Sequence, residues 1–260
     1  MRELKALLFD VDGTLADTER DGHRVAFNKA FSKAGLDWNW SVDVYGQLLE
    51  VTGGKERIKH YVKNFLTDFN PPDLDDLAKQ LHESKTEFYL ELLKTGKIPL
   101  RPGVKRLIKQ AHDEGMRMAI TTTTTYENVT TLLEQTMGPE AIRWFEVIGA
   151  GDVVPNKKPA PDIYTYVLDK MKLSPDECLA FEDSHNGICA TRAAHLETVI
   201  VVNGYTFDHD FDGALVVLDN FGEPDRKFTV IEGDVGDFRF VDLEFLRFLH
   251  NKPNAKAVGE

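Results

Sequence analysis

Short apolar runs recur along the chain, and helix-periodic stretches separate them. ALLF (6–9), MRMAIT (116–121), FEVIGAG (145–151), ECLAFED (177–183) and TVIVV (198–202) have the length and composition of strands, and ALVVLD (214–219) adds a sixth. Most are continuous rather than alternating, the pattern of strands buried on both faces. Between them, GVKRLIKQAHDEG (103–115), NVTTLLEQTMG (128–138), PDIYTYVLDKMK (161–172) and NGICATRAAH (186–195) place apolar residues at helical spacing. This order predicts an α/β fold, a Rossmann-like open parallel sheet with helices on both faces.

One long stretch breaks the alternation. Residues 20–95 contain no convincing strand, while HRVAFNKAFSKAG, GKERIKHYVKNFL and DLDDLAKQLHESKTEFYLELLKTG all have helical periodicity. DFNPPDL (68–74) is a breaker that leads into the longest of these helices. The expected organisation is a core of residues 1–16 and 96–220, a helical cap of 17–95 inserted after the first strand, and a C-terminal extension of 221–260. In that extension FTVIEG predicts a short strand and VDLEFLRFLH a helix, with NKPNAKAVGE expected to fray.

Charge removes several classes of function. With 31 basic and 43 acidic side chains the net charge is −12, which argues against a nucleic-acid or anionic-membrane binder. No apolar run reaches membrane-spanning length. The N-terminus lacks the pattern of a secretory signal, so the expected location is the cytoplasm, or a plastid if a transit peptide has been removed. Two cysteines, Cys178 and Cys189, suit a reducing compartment. The expected state is a monomer whose partner is a small molecule.

In an open α/β sheet, ligands bind beyond the carboxyl ends of the strands. Here those ends carry Asp10 and Asp12, then Thr122, then the NKKPAPD segment after Asp152, then Glu182, Asp183 and Ser184. Asp and Ser at such places commonly cap helices. Two acidic pairs on two strands of one sheet point further, to a hard divalent cation held by oxygen ligands, for which Mg²⁺ is the natural choice. Asp10 and Asp12, two residues apart, leave the strand on the same side. One such carboxylate can attack phosphorus while the other serves the leaving oxygen and then a water. Gly13 allows a sharp turn there. Of the TTTTT tract, most residues read as a β-branched strand end. Thr122 is the candidate hydroxyl for a phosphoryl oxygen, and Thr123 offers a backbone N–H. A solvated pair is the ordinary reading of Lys157 and Lys158. Held beside acids and phosphate, one lysine would neutralise developing charge, and Lys158, next to Pro159, is the candidate.

Taken in order, DVDGT, a strand-end threonine, KKPAPDIY and FEDSHNG resemble the four motifs of the haloacid dehalogenase superfamily, and the insertion resembles its helical cap type. FNKAFSKAGLDWNW and TGGKERI in the cap resemble the CbbY-type phosphatases, which act on xylulose 1,5-bisphosphate. The resemblance implies a phosphoric monoester hydrolase with Asp10 as nucleophile. It implies Asp12 as acid/base, with its backbone carbonyl on Mg²⁺, Asp183 as a metal ligand and Glu182 at or near the metal. Thr122 and Lys158 hold the transferring phosphoryl group, and Asn186 helps orient the site.

In such an enzyme the cap supplies specificity, because a bisphosphate has a second anionic end. His23, Arg24, Lys55 and Arg57 are the cationic candidates, Gly53 and Gly54 allow backbone N–H groups to come close, and Glu19 suits sugar hydroxyls. The plain alternative for each is a solvated charge at a helix start. Arginine fits phosphate through its planar fork of donors, which favours Arg57. Cap closure is expected to exclude bulk water. The main alternative is a β-phosphoglucomutase-like phosphosugar mutase, which would return the phosphoryl group to sugar rather than water. An interaction module that kept the fold alone is disfavoured by the complete set Asp10, Asp12, Lys158 and Asp183.

Overall fold

The computed structural model describes residues 3–51 and 53–252. In chain order, β1 (Ala6–Phe9) is followed by α1 (Arg24–Lys33), α2 (Val42–Leu48), α3 (Gly54–Phe65) and α4 (Leu74–Lys94). Then come α5 (Val104–Asp113), β2 (Arg117–Thr121), α6 (Tyr126–Met137), β3 (Val147–Gly149), α7 (Asp162–Met171), β4 (Cys178–Glu182) and α8 (His185–Ala193). The chain continues through β5 (Glu197–Val201), β6 (Val216–Leu218), β7 (Val230–Gly233) and α9 (Leu243–His250). It divides into two compact units, one running to Ala16 and resuming at Leu100, the other Asp17–Pro99.

The first unit is built on one seven-stranded sheet of order β3-β2-β1-β4-β5-β6-β7. All its pairings are parallel, as expected of the core, except β6 with β7, where the FTVIEG strand of the C-terminal segment adds an antiparallel edge. Side chains alternate across the sheet. Leu8, Ala119 and Ala180 join Ile163, Tyr164 and Val167 of α7 and Ala190 of α8 in one buried cluster. The opposite face presents Phe9 stacked on Phe181 at 4.7 Å and Phe181 on Phe221 at 5.6 Å. The FEVIGAG segment pairs with β2 only over Val147–Gly149, which makes β3 shorter than its apolar run.

The C-terminal segment is part of this unit rather than an appendage to it. The Val241 amide donates to the Phe221 carbonyl at 2.7 Å. Arg106 on α5 donates to the Gly222 and Val241 carbonyls and pairs with Glu223. Phe228 and Phe245 are buried side by side, with ring centroids 5.7 Å apart. The NKPNAKAVGE tail lies mostly outside the described residues.

The second unit is helical, with α4 packed against α1 and α3. Asp73 caps α4 by accepting from the Asp76 amide at 2.9 Å. Its core is aromatic: Phe27, Phe31, Trp40 and Tyr45 are fully buried, and Trp40 lies 4.6 Å from Phe27 and 5.4 Å from Tyr61. Asn28 on α1 exchanges two hydrogen bonds with the Trp40 backbone, 3.0 and 2.8 Å. Sequence periodicity does not reveal α2. It is only seven residues long, contains Gly46, and is started by Ser41 accepting from the Val44 amide.

Candidate active site

The carboxyl ends of β1, β2 and β4 lie level, because Phe9 pairs with Ile120 on one side and with Phe181 on the other. That register brings the residues after each strand to one rim. Asp10 is the first residue past β1, and its amide donates to the Phe181 carbonyl at 3.0 Å. Glu182 ends β4 and Asp183 follows. One oxygen of each of Asp10, Glu182 and Asp183 lies within 4.8 Å of the others, and all three residues are buried.

Lys158, 6% exposed, reaches this cluster from the segment before α7. Its Nζ lies 2.7 Å from Asp10 Oδ1 and 2.5 Å from Glu182 Oε1. Lys157 instead pairs with the exposed Asp152 at 3.0 Å. The two lysines of NKKPAPD thus have different surroundings, one inside the acidic cluster and one at the surface.

Two glycines make room for these carboxylates. Gly13 has φ 90°, and a Cβ there would run into Asp183 Oδ2 and lie 2.7 Å from Asn203 Nδ2. Gly187, in the first turn of α8, is packed so closely on Glu182 that a Cβ would collide with its carboxylate. Ser184 caps α8, accepting from the Gly187 amide at 3.2 Å. Asn186 lies in the first turn of the same helix. Asp12 is half-buried and bridges to Ala16, and the Gly13 amide closes that turn on the Ala16 carbonyl at 2.8 Å. Thr122 is the first residue past β2, buried, with its amide on the Gly149 carbonyl at 2.9 Å and its Oγ1 accepting from the Thr124 amide. Thr123 is half-buried beside it, and Thr125 caps α6.

Three site residues receive no role from the sequence alone, although Thr14 closes DVDGT and Tyr164 closes KKPAPDIY. Tyr164 on α7 donates its hydroxyl to Glu182 Oε1. Asn203, after β5, donates to Asp183 Oδ2 at 2.7 Å, and Thr14 donates to Asp183 Oδ1 at 3.5 Å. Tyr164 falls within an ordinary amphipathic helix, and Asn203 and Thr14 within turns where such residues are common.

The electrostatics follow from crowding. Burial, together with Glu182 and Asp12, pushes the Asp10 carboxyl up to about 7 against the opposing pull of Lys158. Burial and then Asp10 and Glu182 raise Asp183 well above the usual carboxylate range. Burial opposes the charge of Lys158, but Asp10 and Glu182 outweigh it and hold the ammonium protonated. Burial, and then the neighbouring Glu182, keep the Tyr164 hydroxyl a donor. If all three carboxyls ionised, their charge would exceed that of the one ammonium beside them, and the raised Asp10 and Asp183 pKa values reflect that crowding. An all-oxygen donor set of this size suits a small, hard divalent cation.

The cap candidates have separate fates. Tyr45 donates to Glu19 Oε2 at 2.5 Å and accepts from Arg57 Nη1 at 2.9 Å. Arg57 is buried, lies 3.9 Å from Glu19 and donates to the Leu48 carbonyl at 3.0 Å. Glu19, Tyr45 and Arg57 are thus one cluster, of which Tyr45 is not evident from sequence. Arg24 is committed to backbone, donating to the carbonyls of Arg20 and Trp40. His23 is buried with its ring 3.8 Å from Tyr89. Gly53 precedes α3, Gly54 begins it against the His82 ring, and Lys55 is exposed beside them.

Comparison with known proteins identifies the family. A family model described as haloacid dehalogenase-like hydrolase matches residues 4–195. Protein CbbY of Rhodobacter capsulatus is 48% identical over 212 residues, 82% of this chain and 91% of its own. A CBBY-like protein of Arabidopsis thaliana is 40% identical over 226 residues, 85% of this chain and 70% of its own. A crystal structure of a CbbY mutant from Rhodobacter sphaeroides in complex with xylulose-(1,5)bisphosphate superposes with a TM-score of 0.77 at 41% identity, covering 84% of this chain and 94% of that one. By the extent of these matches, the chain belongs to the haloacid dehalogenase-like hydrolases and, within them, to the CbbY proteins.

Proposed function

We propose that this protein is a Mg²⁺-dependent phosphatase that hydrolyses a small sugar bisphosphate, xylulose 1,5-bisphosphate, through an aspartyl-phosphate on Asp10. Phosphatase activity follows from the family. The observation that carries the mechanism is the placement of Lys158 between Asp10 and Glu182, with Asp183 alongside. The CbbY complex named above supports the choice of substrate.

Lys158 engages Oδ1 of Asp10, which leaves Oδ2 to attack phosphorus. Lys158 and the Thr122 hydroxyl take the equatorial phosphoryl oxygens. As the bond from phosphorus to the sugar oxygen breaks, Asp12 gives its proton to that oxygen. The Asp12 carboxylate then takes a proton from a water whose oxygen attacks the phosphorus. The bond from phosphorus to Asp10 breaks, inorganic phosphate leaves, and both aspartates return to their starting states. Asp10, Asp183 and the Asp12 carbonyl would hold Mg²⁺, with Glu182 beside them. The ion, when bound, neutralises charge on the phosphoryl oxygens. Glu182 Oε1 already accepts from Lys158 and Tyr164, so its first role is to hold the lysine. In the cap we assign Arg57, with Glu19 and Tyr45, to the sugar and the second phosphate.

The test is incubation with xylulose 1,5-bisphosphate and Mg²⁺ while inorganic phosphate and sugar products are followed. Stoichiometric phosphate release is expected. Isomerised product without phosphate release would instead indicate the mutase, and turnover of monophosphates alone would overturn the substrate.

A further inference from the structure

Arg101 has no part in the chemistry just described, yet it is buried, 7% exposed, and its guanidinium is engaged with backbone. Nη1 donates to the carbonyls of Gly13 and Val201, the latter at 3.0 Å. Nη2 donates to the carbonyls of Val202 and Asp219, the latter at 2.7 Å. The backbone at 101 is pinned as well, its amide on the Leu15 carbonyl at 2.8 Å. A buried charge is costly unless hydrogen-bonded, and only a planar fork can serve carbonyls spread over three loops.

Two of those loops shape the metal-binding end. Gly13 follows Asp12. Val202 precedes Asn203, which donates to Asp183 Oδ2 and whose own amide is held by Thr206 Oγ1 at 3.0 Å. Gly13, Asn203 and Asp183 are in mutual contact, too close for a side chain at position 13. The positive charge of Arg101 is also felt at Asp183. We infer that Arg101 is a positioning residue, a clamp that fixes the Asp12–Gly13 turn against the Asn203 loop and so sets the spacing between the Asp12 carbonyl and the Asp183 carboxylate. This rests on the metal reading above, and it concerns ligand spacing rather than any step of the reaction.

The experiment measures Mg²⁺ midpoints by thermal shift, without substrate, for wild type, Arg101→Lys, Asn203→Ala and the double variant, alongside kcat and KM. The metal reading is judged on the wild type alone, and the clamp only on variant-to-wild-type ratios. Lysine keeps the charge but not the fork. The expected result is a Mg²⁺ midpoint raised about tenfold in each single variant, the range typical of groups that orient metal ligands. The double variant should be no worse than the poorer single one, and kcat should fall while KM changes less than about threefold. A lower melting temperature with an unchanged Mg²⁺ midpoint in Arg101→Lys would reduce the residue to a structural tie and overturn the inference. If Arg101→Lys fails to fold, Asn203→Ala decides: an unchanged midpoint there overturns it too.

Discussion

The Tyr164 hydroxyl donates to the same Glu182 oxygen that accepts from Lys158. One carboxylate oxygen thereby fixes a neutral donor and a charged one, and the charged one reaches on to Asp10. Removing the hydroxyl in Tyr164→Phe should lower stability by about 1.5–3 kcal/mol, the worth of a hydrogen bond to a charged group. Phosphate release should fall with it, because the lysine loses its fixed direction. Thermal melts and steady-state kinetics check this, and a variant with wild-type kcat would show that Lys158 needs no such anchor.

Replacing the lysine is more severe. Lys158→Met leaves Asp10, Glu182 and Asp183 buried without their counter-ion. Breaking a buried pair from one side typically costs about 3–5 kcal/mol. Added Mg²⁺ should recover part of that stability but not turnover. Equal melting temperatures with and without Mg²⁺ would contradict the cation-balancing role of the carboxylate cluster.

Asp10→Asn tests the nucleophile. The amide keeps the shape and removes one of three crowded carboxyls, so a folded protein is expected. Phosphate release should drop on the order of a thousandfold or more, since the covalent route is lost. Mass spectrometry of wild type quenched during turnover should show a phosphorylated chain, absent from the variant.

In the cap, Arg57→Lys keeps the charge but cannot serve Leu48 and Tyr45 together as the guanidinium does. KM for the bisphosphate should rise about tenfold, a larger change than for a sugar monophosphate. Equal changes for both substrates would remove Arg57 from recognition of the second phosphate.

His82 gives the cap a predictable response to acid. Burial, and then Lys85, Lys55 and His23, lower its pKa from 6.5 to about 4 despite the opposing Glu56. In the unfolded chain it takes a proton near 6.5, while the folded cap resists until about 4. Stability is therefore full above pH 6.5, declines between 6.5 and 4, and levels off below. Because the ring is partly exposed, the loss attributable to it is about 1–2 kcal/mol after screening. His82→Gln should flatten the melting profile between pH 7 and 5 relative to wild type, and parallel profiles would dismiss the assignment.

What the sequence discloses and what it hides divide along contact range. β1, β2, β4 and β5 are legible because a strand buried on both faces must be continuously apolar, and the motifs at their ends because catalytic types cluster next to such runs. Lys158 is separable from Lys157 by its proline neighbour. The contacts of Tyr164, Asn203 and Arg101 are not legible, since each acts across the fold: Arg101 reaches residues 88 to 118 positions away. The helix α2 has too few turns for a period to show. The C-terminal segment looks separable because the motifs end before it and it does not continue the regular alternation of strand and helix. Its attachment comes from backbone carbonyls taken by Arg106, which leave no pattern in the sequence, and from FTVIEG, legible as a strand but not as the antiparallel partner of β6.

That stitching matters to anyone trimming the protein. A chain cut at residue 220, where the motifs end, would lack Phe221 against Phe181, leave Arg106 without its acceptors at Gly222 and Val241, and uncover the flank of α5. A minimal catalyst made from this scaffold has to carry its last strand and helix along, as ballast for the sheet on which its aspartates stand.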